Sequence, residues 1–186
     1  VTRVSRATRL VHVAWLTEDG EKVIISTTRP ELICACGVVL VHPEDDRYTH
    51  LIGKRIYLPM PVDGRKESVE IMAHPSVKMD FGSGVLMVCS YGDQNDVSVF
   101  RELALDPYPA IDLDGRMTNI SGPLSGMTVM EARDEAVELL EREGKIDSIE
   151  ERDQEIPVSE RGGNPIEIIL LKEWYVKQVG LSLIHI

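Results

Sequence analysis

Residues 81–96, FGSGVLMVCSYGDQND, join an apolar run to two carboxylates that stand three residues apart. The run from Val85 to Cys89, preceded by two glycines, predicts a buried strand. A helix over DQNDVSVFRELAL follows it, and Asp93 stands at the cap position, where a side-chain oxygen accepts free backbone N–H groups. The stretch therefore predicts a strand-to-helix junction that carries Asp93 and Asp96.

Short apolar runs separated by turn residues predict further strands on both sides of this junction. RLVHVAWL and KVIISTT flank TEDGEK, whose Asp-Gly pair is a strong hairpin signal. GVVLVHP, KRIYLPM and ESVEIMAH predict three more strands, and PEDDRYTHLIG predicts a short helix. Thr128 and Glu131 form a capping box before the helix that Gly144 ends. IPVSERGGNPIEIILLKEWYVKQ predicts one or two strands around a GGNP turn.

Many short strands with two or three helices, in no alternating βαβ order, predict an α+β fold. We expect it to be β-rich, with a closed or nearly closed sheet decorated by a few helices. The 186 residues, 43% of them hydrophobic, suffice for one well-buried core, so we expect a single domain over residues 1–180. The terminal GLSLIHI does not continue the pattern, and residues 181–186 are expected to be a non-native or disordered tail.

Charge and composition narrow the classes of function. A net charge of -11 argues against a broad basic face that grips duplex nucleic acid, but not against a pocket for the end of one. No apolar run has the length of a membrane span, and VTRVSRATRL lacks the apolar centre of a signal peptide. Three cysteines, two of them in CACG, do not make a disulfide framework. We expect a cytoplasmic protein with no membrane partner.

Several common catalytic motifs are missing from the sequence. It contains no P-loop, GxGxxG, HExxH, GxSxG or paired CxxC, and its five histidines form no i, i+4 pair. A metal site is therefore weakly supported, and the CAC cysteines are expected to be buried strand side chains. Two segments remain as candidate functional sites, STTRPEL and the strand-to-helix junction. Taken alone, each also fits a structural role as a strand end, a turn or a helix cap.

Taken together, four segments in order resemble the editing domain, or connective peptide, of the class I aminoacyl-tRNA synthetases for valine, isoleucine and leucine. They are TTRPEL (27–32), VHPEDDRYTHLIGK (41–54), FGSGVLMVCSYGDQND (81–96) and PIEIILLKEWYVK (165–177). MVCSYGDQNDV and SERGGNPIEI are most similar to valyl enzymes of archaeal type, with the isoleucyl and leucyl enzymes next. The HIGH and KMSKS signatures of the synthetic site are absent, so the chain looks like a domain excised from a larger synthetase.

The resemblance implies a hydrolase that removes a wrong amino acid, threonine, from the 3' end of tRNA(Val). A hydrophobic synthetic pocket rejects an isostere with an added hydroxyl poorly, an example that is drawn from this family itself. The resemblance places Asp96 on the substrate α-ammonium and pairs it with Thr28 as the catalytic residues. Asp93 contacts the ammonium or the threonine hydroxyl, or only caps the helix. The implied substrate-binding residues are Thr27, Arg29, Glu31, Met87, Cys89 and Asp93.

The family positions a water molecule, and no general base is assigned. No cofactor is expected for editing, because ATP serves only the synthetic domain. The expected partners are a mischarged tRNA 3' end and the remainder of the synthetase chain.

Three departures from the family pattern bear on these expectations. Bacterial valyl enzymes carry Lys and Thr where this chain has Met87 and Cys89, and the leucyl pattern has Thr where it has Leu32. SERGGNP lacks the metal-binding cysteine pair of many relatives, so zinc is not expected. Two alternatives stay open, a non-catalytic module that binds the aminoacylated 3' end and a metal-dependent hydrolase that uses Asp93, Asp96 and His74.

Overall fold

A seven-stranded sheet dominates the computed structural model, which describes residues 2–163 and 165–171. Its strands in chain order are β1 (Thr2–Thr17), β2 (Lys22–Thr27), β3 (Cys36–Val41), β4 (Arg55–Tyr57), β5 (Ser68–Ala73), β6 (Val85–Cys89) and β7 (Ile146–Val158). The described helices are α1 (Gln94–Glu102), α2 (Val129–Arg142) and three 3-10 helices at Pro30–Ala35, Thr49–Leu51 and Asn119–Leu124. None of them is both long and apolar enough to cross a membrane.

The sheet follows the strand order β2-β1-β4-β5-β3-β6, and β7 adds to β1. All pairings are antiparallel except that of β3 with β5. The sheet curls so far that the two ends of this path approach each other. A Cβ added at Gly82, just before β6, would lie 2.8 Å from the hydroxyl of Ser26 in β2. The predicted α+β fold with a nearly closed sheet is confirmed.

Strand β3 lies between two layers of packing, which explains its continuous apolar run. Val39 and Val41 point into the main core, and Val38 and Leu40 into a smaller cluster on the opposite face. Because successive side chains of a strand alternate between faces, a strand covered on both faces needs apolar residues at every position.

Helix α1 covers the smaller cluster and is held close to β3 by a glycine. Val99 and Phe100 are its buried residues. The Phe100 ring lies directly on Gly37, where an added Cβ would collide with the ring. This close approach fixes the position of α1, whose first turn carries Asp96.

Helix α2 packs on the main core through an apolar stripe that includes Ala132, Ala136 and Leu140. The predicted capping box is present. The Thr128 hydroxyl accepts from the N–H of Glu131, and the Glu131 carboxylate accepts from the N–H of Thr128. The hairpin between β1 and β2 is also confirmed, with φ of +85° at Gly20 in its turn.

Two sequence expectations need correction. The segment PEDDRYTHLIG forms turns and only the 3-10 helix Thr49–Leu51, because the buried Asp45 carboxylate accepts from the N–H and the guanidinium of Arg47. Such local side-chain bonds compete with helix formation. The strand that was expected from Ile156 begins ten residues earlier. It is the 13-residue β7, Ile146–Val158, which pairs with β1 from Thr2↔Val158 to Val13↔Ile146.

The expected strands around the GGNP turn appear only in part. β7 ends at Val158, and a single bridge joins Val158 to Pro165. The rest of the exit segment after Leu171, and the expected tail at 181–186, lie outside the described residues.

We predict that Gly37→Ala lowers the free energy of unfolding by about 1–3 kcal/mol, because the new methyl displaces the Phe100 ring from a closely packed site. Urea unfolding measures this loss. The double variant Gly37→Ala/Phe100→Leu should recover part of it, since the smaller side chain makes room for the methyl. Strictly additive losses in the double variant would contradict the proposed contact.

Candidate functional site

Asp93 caps the helix that follows β6. Its carboxylate Oδ1 accepts from the backbone N–H of Asp96 at 2.8 Å, and α1 begins at the next residue, Gln94. The cap, one of the alternatives left open for Asp93, is therefore present in the structure. The Asp93 side chain is exposed.

Asp96 does not act as a cap. Its carboxylate turns back across the start of α1, and Oδ2 accepts from the N–H of Cys89 at 3.2 Å. Burial is the main cause that raises the pKa of Asp96 to about 7, and the neighbouring Asp93 adds to it. The N–H of Cys89 and the Arg29 guanidinium act in the opposite direction. A carboxylate in this setting gains from a cation placed beside it.

The loop between β6 and α1 is shaped around this carboxylate. Tyr91 has φ of +59°, a left-handed conformation that costs a non-glycine residue about 1 kcal/mol or more. At Gly92 an added Cβ would collide with Oδ2 of Asp96. The loop therefore needs glycine at this position if the carboxylate is to stay where it is.

The TTRPEL segment begins at the last residue of β2. The Thr27 hydroxyl accepts from the N–H of Arg29 at 3.0 Å, and Pro30 starts the first 3-10 helix. Thr28, between them, is half-buried, and its hydroxyl has no hydrogen-bond partner among residues 2–163 and 165–171. It remains available to a ligand.

The TTRPEL segment and the junction meet in the structure. The Arg29 guanidinium donates from Nη1 to the Gly92 carbonyl at 3.1 Å. The Cys89 thiol donates to the Leu32 carbonyl at 3.2 Å. A threonine-rich strand end and a carboxylate-bearing helix start are thus held together at one side of the curled sheet.

The structure changes the interpretation of Arg29 and Glu31. Glu31 is 0% exposed, and its carboxylate accepts from Arg29 at 3.0 Å and from both Nε and Nη2 of Arg133 at 3.1 and 2.7 Å. The remaining Nη2 of Arg29 donates to Glu167 at 2.6 Å. Glu31 is therefore not placed to bind substrate, and Arg29 is occupied by protein groups.

Arg133 was absent from the residues singled out in the sequence. Burial alone would lower the pKa of Arg29, but the carboxylates of Glu31 and Glu167 more than offset this, so the pKa is raised. Arg133 lies 102 positions from Glu31, on the polar side of an ordinary amphipathic helix. The sequence shows only that Arg133 is a cation on α2, and it does not indicate that Glu31 is its partner.

Met87 and Cys89 lie on one face of β6, as alternation predicts, and both are buried in the main core. Cys89 is 2% exposed, and burial raises the pKa of its thiol well above the ordinary value. Burial likewise raises the pKa of Cys34 and Cys36 to about 12. Met87 and Cys89 form an apolar base beneath the junction, and the raised pKa values keep the three thiols protonated.

A cavity of about 150 Å³ opens where the start of β6 approaches Ser26 of β2. Its lining includes Ser26, Lys78 and Phe81. The Phe81 ring is 50% exposed and has the Arg152 guanidinium 4.8 Å from its centre. An exposed ring, a cation and hydroxyl groups are the chemistry that holds a stacked nucleobase and its ribose.

No cluster of three or more potential metal ligands occurs within the described part of the chain. His74, which the metal-dependent alternative joined to the two aspartates, instead contacts Ser76 at 2.6 Å and Glu102 at 3.3 Å. The described residues therefore do not support that alternative.

Comparison with known proteins places this chain beside one class of enzyme. It is 43% identical over 167 residues to the valine–tRNA ligase of Aeropyrum pernix. This match covers 90% of this chain and 20% of that ligase. It is 39% identical over 180 residues to that of Nanoarchaeum equitans, covering 96% of this chain and 23% of the ligase. The chain thus spans about a fifth of the length of these relatives. No protein-family model matches it.

Solved structures agree on the fold. The crystal structure of GlLeuRS-CP1 superposes with a TM-score of 0.58 at 10% identity, covering 77% of this chain and 98% of that one. The LeuRS of Agrobacterium radiobacter K84, in a ternary complex with tRNA and LeuAMS, gives a TM-score of 0.56 at 17% identity, covering 80% and 20%. The resemblance to a segment of the valine–tRNA ligases is confirmed, and the fold is similar to that of GlLeuRS-CP1.

We predict that Asp96→Asn makes stability less dependent on pH. A carboxyl whose pKa is 3.8 when unfolded and about 7 when folded binds its proton more tightly in the folded state, so the wild type loses stability as pH rises between these values. Asparagine does not titrate. Between pH 5.5 and 8 the free energy of unfolding should shift by about 1–2 kcal/mol in favour of Asp96→Asn, after allowance for partial exposure.

Urea unfolding across this pH range measures the shift. Asp114→Asn, the same change at an exposed turn residue, is the control and should follow the wild type. Parallel curves for wild type and Asp96→Asn would show that the Asp96 pKa is not raised.

Proposed function

We propose that this chain, a homologue of one segment of the valine–tRNA ligases, is an editing unit that hydrolyses mischarged aminoacyl-tRNA within a longer synthetase. The single observation that carries the proposal is the half-buried Asp96 carboxylate, which lies against Gly92, the residue whose carbonyl binds Arg29 of TTRPEL. The unit extends over residues 1–180, and the reaction needs no cofactor. ATP would serve the synthetic part of the longer chain.

The proposed substrate is the 3' end of a tRNA that carries a wrong amino acid. Its α-ammonium binds the Asp96 carboxylate, and the cation lowers the pKa of that group and so favours its ionised form. The cavity next to Thr27, with Phe81 and Lys78, takes the terminal nucleoside. A narrow site for a single-stranded end suits a chain whose net charge is -11, because duplex contacts are left to other parts of the synthetase.

The reaction is attack of water on the ester carbonyl. The water oxygen forms a bond to the carbonyl carbon and gives up one proton. The bond from that carbon to the ribose oxygen breaks, and the released ribose oxygen gains the proton. In this proposal the Thr28 hydroxyl donates a hydrogen bond to the oxygen on which charge develops. No side chain is assigned as general base. Holding the ammonium and the ester in one orientation supplies the acceleration.

We predict that threonyl-tRNA(Val) is hydrolysed roughly ten- to a hundred-fold faster than valyl-tRNA(Val). Recognition of the extra hydroxyl by a polar group, Asp93 or a backbone group near Thr28, accounts for a difference of this size. Release of labelled amino acid from the two substrates, with isoleucyl-tRNA as a third, measures it. Equal rates for threonine and valine would contradict the proposed specificity. Tight binding with no release would instead favour a non-catalytic module for the 3' end.

We predict that Asp96→Asn lowers the rate of threonyl-tRNA hydrolysis roughly ten- to a hundred-fold without loss of stability. The change keeps the size of the side chain and removes the charge, and a hydrogen bond to a charged group is worth about 1.5–3 kcal/mol. Asp114→Asn again controls for net charge. Asp93→Asn keeps a capping oxygen, so its rate reports separately whether Asp93 touches the substrate. An Asp96→Asn protein of full activity would leave Asp96 with a purely structural role.

A further inference from the structure

Four alternating charges run from α2 to the exit segment, in the order Arg133, Glu31, Arg29 and Glu167. Arg133 contacts the Glu31 carboxylate through two donors at 3.1 and 2.7 Å, and Arg29 contacts it at 3.0 Å. Arg29 also reaches Glu167 at 2.6 Å. The residues so connected lie 102 and 138 positions apart in the sequence. This chain of contacts is called the charge relay below.

The charges of the relay balance each other, and this explains why it needs four members. A fully buried Glu31 carboxylate requires a cation, and the fork of Arg133 supplies two parallel hydrogen bonds to it. The same carboxylate also binds Arg29, which leaves one positive charge in excess. Glu167 neutralises that excess. Arg133, Arg29 and Glu167 each keep only about a quarter of their side-chain surface exposed, so solvent screens these pairs weakly.

Arg29 connects the relay to the junction. Its backbone N–H donates to the Thr27 hydroxyl, and Thr28 lies between these two residues. Its Nη1 binds the carbonyl of Gly92, the residue against which the Asp96 carboxylate lies. These side-chain contacts use three different nitrogens of Arg29, namely Nε for Glu31, Nη1 for Gly92 and Nη2 for Glu167. The side chain therefore fixes the separation between the threonine segment and the start of α1.

We propose that Arg133 and Glu167 are positioning residues of the site. They hold the Arg29 guanidinium from two sides, through Glu31 and directly, and so set the distance between Thr28 and Asp96. Neither residue touches the proposed substrate. The kinetic consequence rests on the proposed hydrolysis, whereas the structural consequence, order in the Gly92 loop, does not.

Two conservative variants test the relay. Arg133→Lys keeps the charge next to Glu31 but lacks the planar fork, so the buried carboxylate is not left unpaired. Glu167→Gln keeps the shape of the side chain and removes its charge. The matched controls are Arg142→Lys and Glu138→Gln, the same changes at exposed positions of α2.

Hydrogen exchange and deacylation kinetics are the two readouts. Each relay variant should speed amide exchange roughly tenfold in a peptide that covers residues 89–97, with the urea midpoint little changed. Each should lower kcat for threonyl-tRNA hydrolysis roughly three- to tenfold at nearly constant KM, because the geometry of the bound ester is impaired and not its binding. In the double variant Arg133→Lys/Glu167→Gln, kcat should fall by less than the product of the two single losses, because both residues act through Arg29.

Three outcomes overturn the inference. They are unchanged exchange in residues 89–97, equal effects in the exposed controls, and single kinetic losses that multiply in the double variant. If the wild type hydrolyses no mischarged tRNA, the proposed function fails, and the exchange experiment alone then decides whether Arg133 and Glu167 order the junction.

Discussion

The buried carboxylate of Glu31 is the constraint on which the site depends. A charge removed from water must be paired within the protein, and here two arginines from distant parts of the chain do this. One of them, Arg29, also binds Gly92 and Glu167. The need to satisfy a single acid thus draws together the end of β2, the start of α1, helix α2 and the exit segment. The apolar core alone, which is non-directional, would not specify this arrangement.

Local patterns in the sequence were enough for the hairpin, for the capping box of Thr128 and for the cap at Asp93, because each depends on residues only a few positions apart. The apolar run and the cap also located the junction, and the resemblance across four segments paired it with TTRPEL. Two features could not be foreseen. Strand β7 is almost wholly exposed and highly charged, so it lacks the apolar alternation that marks a strand and is held by the ladder to β1. The pairing of Glu31 with Arg133 depends on the tertiary fold.

The junction also bears local costs to stability. Tyr91 adopts a left-handed conformation, and Asp96 is a carboxylate whose pKa burial raises to about 7. Groups of this kind destabilise the folded chain and persist where the surrounding structure holds them. Beneath them, the apolar β6 side chains and the close contact of Phe100 with Gly37 provide a firm support. Stability in the core offsets strain at the surface where the substrate is proposed to bind.

The ribbon of β1 and β7 has a mechanical consequence. Thr2 lies opposite Val158 at its outer end, and the ladder runs inward to Val13, where both strands reach the core. A force that separates the two outer ends acts across the ladder, so its hydrogen bonds break one pair at a time. Such a ribbon opens at low force, like a zipper, before the force reaches the curled sheet.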